Sequence, residues 1–123
     1  GELREFYNYL QRLIQHPELP AAERPGLQAQ RDTTIRLIFY GSHIAPKFAA
    51  QHQAAISAGF QAAGLEVPNF ATLSRGEAMA KIEQFNQAVG RMSNPPPAVT
   101  RLAPLLNDGL RDLKPGVIPE TWV

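Results

Sequence analysis

Pro46–Gly64, PKFAAQHQAAISAGFQAAG, opens on a proline, closes on a glycine and carries alanine on almost every face between them. Proline suits the first turn of a helix, where its missing N–H loses no partner. Glycine suits the left-handed residue that closes one. Large apolar groups occur only at Phe48, Ile56 and Phe60. A helix this slim lets neighbouring backbones come close, so the stretch predicts the central post of a helical bundle. Phe48, His52, Ala55, Ile56, Gly59, Phe60 and Ala63 share one face of it, and His52 is the polar member.

On the N-terminal side, Leu27–Tyr40 reads two ways. Leu27, Arg31, Thr34, Ile35 and Ile38 fit a helical stripe. The run from Thr33 to Tyr40 is rich in β-branched and aromatic residues, which also suits a strand. Helix is preferred, because a lone strand leaves its backbone groups without partners. Gly41-Ser42-His43 then ends or bends that helix. Further upstream, Leu3, Phe6, Leu10 and Leu13, with Ile14 beside them, make one face of an amphipathic helix over Glu2–Gln15. Pro17 stops it. His16–Gly26, with three prolines, reads as an extended connection, with room for one helical turn around Ala21–Arg24.

On the C-terminal side, Leu65–Leu73 is a loop pinned by its apolar members. Ser74-Arg75-Gly76-Glu77 matches the capping box, in which serine and a glutamate three residues later satisfy each other's backbone N–H. Ala78, Met79, Ile82, Phe85, Val89 and Met92 line the helix that follows. The last helical region, about Pro97–Leu113, carries Val99, Leu102, Leu106, Leu110 and Leu113, with Pro104 inside it. A proline there removes a donor, so a kink or a break is expected. The reading is an all-α, antiparallel four- to five-helix bundle with proline-rich connections and a kinked last helix. One domain spans residues 1–116. Residues 117–123 form a tail that lies along the bundle or is free.

Length and composition bound what the chain can do. At 123 residues there is room for one self-sufficient core. No cysteine is present, which removes disulfides, thiol nucleophiles and thiolate metal sites. Net charge is +1 and the basic residues are dispersed, so no concentrated basic surface for nucleic acid is expected. The helix that begins directly after Gly1 suggests a domain of a larger protein. The arginine and alanine bias points to a GC-rich bacterial genome.

The motifs that could carry chemistry have simpler structural readings. His16, His43 and His52 lack the shared-face pairing of a metal site, and no metal or cofactor is expected. Ser42-His43 is not the G-x-S-x-G elbow, and adjacent residues seldom point toward one another. The cluster Leu37, Ile38, Phe39, Tyr40 and Ile44 is harder to absorb, because one helical stripe cannot take five large residues nearly in a row. Phe39, Tyr40, His43, Ile44 and the C-terminal Trp122 are therefore the candidate partner-binding residues. The end Glu120-Thr121-Trp122-Val123 resembles the ligands of PDZ domains over four residues. The alternative is that Trp122 anchors the tail to the bundle.

Protein–protein interaction, as an adaptor or scaffold domain, is the expected role, with no catalytic residue assigned. A bundle that attaches to a membrane surface through apolar loop tips, Val67–Phe70 for example, is the alternative. A small enzyme whose site the sequence does not announce is the second alternative.

Overall fold

The computed structural model describes all 123 residues and is all-helical, with no strand. Six α-helices occur in the order α1 Glu2–Gln15, α2 Arg24–Ile38, α3 Ala45–Gln51, α4 Gln53–Ala62, α5 Arg75–Gly90 and α6 Pro97–Pro104. Two π-helical segments, Tyr40–Ile44 and Leu105–Arg111, and a 3-10 turn, Glu120–Trp122, complete the chain.

Helices α1 and α2 pack on each other as a hairpin. Leu10 and Ile14 are buried in its seam, apart from the main core. Polar contacts tie the two helices as well. Arg31 Nη1 donates to Gln11 Oε1 at 3.0 Å, and Arg24 donates to the carbonyl of Ile14. The ambiguous segment is thus helical, and it begins at Arg24, with Pro25 in the first turn, rather than at Leu27. Thr34, whose type favoured the strand, is accommodated by donating its hydroxyl to the carbonyl of Gln30 at 2.7 Å.

Past Phe39 the winding widens. Ile44 N–H bonds the carbonyl of Phe39, five residues back, at 3.0 Å. The main core begins here with Tyr40 and Ile44 and takes in Phe48, Ile56, Phe60, Phe70, Ile82, Phe85, Leu102 and Leu106. Phe60 is central to it, with its ring centroid 5.0 Å from that of Phe85 and 6.0 Å from that of Phe70.

The expected single post over Pro46–Gly64 is two helices. His52 departs from helical geometry (φ −110°, ψ 21°) between α3 and α4. Its ring lies 4.6 Å from Phe48 and 6.4 Å from Trp122, so the bend falls where aromatic groups crowd the chain. The closing residue behaves as expected. Gly64 is left-handed (φ 74°), and Leu65 N–H reaches back to the carbonyl of Phe60 at 2.9 Å. The expected close approach also occurs, between α4 and α6. Phe39 and Ile38 stay outside the buried core. They are half-buried, and Tyr40, Ile44 and Phe48 supply the core bulk instead.

The capping box at Ser74 is complete. Ser74 N–H donates to Glu77 Oε1 at 3.0 Å, and Glu77 N–H donates to Ser74 Oγ at 3.2 Å. Hydrogen bonding from Ser74, led by its backbone N–H, holds the Glu77 carboxyl below the usual range. At Pro104 the α-winding of α6 gives way to the second π segment. Asn107 bridges that change. Its amide donates to the carbonyl of Ala103 at 2.8 Å and forms a reciprocal pair with Asn86 of α5 at 2.7 and 2.9 Å. The tail lies along the fold. Ile118 is fully buried in the main core, and Trp122 and Val123 pack at its edge.

Candidate interaction surface

The five residues predicted to meet a partner separate into two groups. Tyr40 is 2% exposed and Ile44 is 0% exposed, so both are core residues and neither offers a contact surface. Both stand in the first π segment and project into the main core. Phe39, His43 and Trp122 are half-buried. Phe39 meets the His43 imidazole edge-on at 5.0 Å, and Trp122 lies across the protein's surface beside His52. Burial holds the His52 imidazole below its ordinary pKa. Trp122 is thus a packed anchor in a helical turn rather than an extended strand ready for addition to a sheet.

Ser42 and His43 meet after all. Their Oγ and Nδ1 atoms are 2.7 Å apart. The pair lies on an exposed turn, and the imidazole is braced by the Phe39 ring rather than by a carboxylate. The best-formed groove lies elsewhere, between the α3–α4 bend and the loop before α5, with a volume of about 410 Å³. Alanines, Pro46, Ile56 and Pro68 dominate its walls, and its polar side chains are Gln53, Ser57 and Asn69. It contains no acid, base or imidazole, so it offers no group for proton transfer at neutral pH. In the loop Val67–Phe70, Phe70 is fully buried, so the apolar surface is that of exposed Val67 and half-buried Pro68.

Two internal side chains carry polar atoms without a partner. Arg36 is 3% exposed, and its Nε and Nη1 atoms have no hydrogen-bond partner in the protein. The Tyr40 hydroxyl, one turn further on, is in the same position.

The surface that sequence reasoning missed is on the hairpin. Leu3, Phe6 and Tyr9 of α1 are 43%, 44% and 49% exposed. Leu3 and Phe6 continue the stripe of Leu10 and Ile14, the face that an amphipathic helix ordinarily turns to the core. Helix α2 is the only large neighbour of α1, and it covers just part of that arc. Beside Phe6 a shallow groove of about 440 Å³ runs along α2, walled by Ala29, Gln30, Thr33 and Thr34. A signal was present: Tyr9, Leu13, Phe6, Leu10, Leu3 and Ile14 span more of the α1 circumference than one packed helix can cover. Polar side chains flank the arc, with Glu2 and Glu5 in the first turn and Arg12 in the last.

The chain matches no family model, no curated protein and no solved structure.

Proposed function

We propose that this chain is a protein–protein interaction domain that docks its partner on the outward face of the α1–α2 hairpin. In this reading the fold is an antiparallel helical bundle, kinked in its last helix at Pro104. The body carries the hairpin, and the hairpin carries the function.

The single observation that supports the reading is the exposure of Leu3, Phe6 and Tyr9 on one helix. Scattered exposed apolar residues are ordinary, but a contiguous row bordered by charge is the pattern of an interaction site. Aromatic residues are also the side chains that contribute most at interfaces. The adjoining groove is uncharged and walled by short side chains, which suits the apolar face of a helix.

The test compares the native chain with a Phe6→Glu, Tyr9→Glu double variant. Both are immobilised and exposed to extract of the source cell. Each retained protein, a second copy of the chain included, is then purified and titrated against both forms. The expected result is a partner that binds the native chain and loses at least tenfold in affinity for the variant, with helical content unchanged. Equal binding by the two forms overturns the reading.

A further inference from the structure

We infer that the partner of this face is a second copy of the same chain, paired end for end along α1. The inference rests on the docking reading above and specifies its occupant.

The charges of α1 carry it. Glu2 and Glu5 sit in the first turn and Arg12 in the last. With 3.6 residues per turn, Glu5 and Arg12 fall on one flank of the stripe formed by Phe6 and Tyr9, and Glu2 lies between those two residues at its N-terminal end. Turning one α1 end for end against another, with Phe6 of each opposite Tyr9 of its mate, sets Glu5 of one copy on the same flank as Arg12 of the other, with Glu2 at the adjoining end of the seam. A two-fold axis makes this contact twice. Arg4 lies on the far side of the helix, about 170° from the stripe at 3.6 residues per turn, and takes no part in the pairing. A uniformly acidic partner would leave Glu5 unmatched, and a uniformly basic one would leave Arg12 unmatched.

Other features point the same way. The positive end of one helix dipole meets the negative end of the other in this orientation. The two-fold axis also duplicates the aromatic contact, giving two Phe6–Tyr9 pairs. The groove of Ala29, Gln30 and Thr33 beside Phe6 presents no charge or bulk against the incoming helix.

The test uses the full chain and sedimentation velocity over a wide concentration range. The expected result is a rise toward twice the 13.5 kDa of one chain. Arg12→Glu alone, and Glu2→Arg with Glu5→Arg alone, each return the chain to monomer. Mixing those two variants restores a dimer, because every acid again faces a base. A dimer that ignores these exchanges overturns the antiparallel arrangement.

The absence of cysteine allows a second measurement. In a Leu3→Cys variant, which leaves the Phe6–Tyr9 and Glu5–Arg12 contacts in place, the thiol should react quickly with a maleimide at low concentration and slowly at high concentration. A chain that remains monomeric throughout, with a fast-reacting thiol, overturns the second copy and leaves the docking face standing. A monomer with a slow-reacting thiol overturns both, since the face is then covered within the chain.

Discussion

Gly59 of α4 lies against Leu102 of α6 so closely that a Cβ on the glycine would fall 2.4 Å from Leu102 Cδ2 and 2.9 Å from its Cβ. The carbonyl of Ala98 would be 3.2 Å away. Leu102 is fully buried and cannot swing clear. Glycine at 59 is therefore a packing requirement: its missing side chain is the space in which α6 sits.

Gly59→Ala should destabilise the chain by about 1–3 kcal/mol through overpacking, despite the better helix propensity of alanine. Urea unfolding checks it. A paired Gly59→Ala, Leu102→Ala variant should show coupling between the two sites, because the second change removes the Cδ2 clash, although the close approach to the Cβ of residue 102 remains.

Asn86 and Asn107 form the one reciprocal amide pair between α5 and the second π segment. Asn86→Ala removes one partner and strands part of the Asn107 amide in a half-buried setting. A loss of about 1 kcal/mol is expected. Asn107→Ala should cost more, because it also removes the bond to the carbonyl of Ala103. A double-mutant cycle in denaturant separates the shared contribution from that extra bond.

Arg36 is the reverse case, a buried cation without a protein partner for Nε and Nη1. Replacing such a group by an apolar side chain of similar length removes its desolvation cost and keeps its packing. Arg36→Met should raise stability by about 1–3 kcal/mol, read as a higher denaturation midpoint with an unchanged slope. A loss of stability would mean that the guanidinium is paired in solution.

Tyr40 makes stability fall at alkaline pH. Burial pushes its phenol up to about 12, with the charge of Arg75 acting against that shift. The unfolded chain loses the proton near pH 10, and the folded chain holds it. The stabilising effect is therefore complete below pH 10 and is lost as pH rises through about 12. The native chain should lose about 2–3 kcal/mol across that window. Tyr40→Phe should flatten this part of the stability–pH curve.

Local chemistry was legible in the sequence wherever a few neighbouring residues decide the outcome. The Ser74–Glu77 capping box, the left-handed Gly64, the all-helical class and the slimness of the Pro46–Gly64 stretch all follow from short-range sterics and hydrogen bonding. The limits of that reading are equally specific. Tyr40 and Ile44 looked like surplus bulk for a partner. Both are buried in the core, where the packing of later helices closes over them, and residue order alone does not show that packing. Leu3 and Phe6 looked like core because they share a stripe with Leu10 and Ile14. A stripe shows which face of a helix is apolar, but neighbours decide how much of it is covered, and α1 has only one large neighbour. Sequence by itself determined that the chain is helical and where several helices start and stop. Only the tertiary structure decided which apolar residues are buried and which are left for a partner, because burial is a property of the whole packing arrangement.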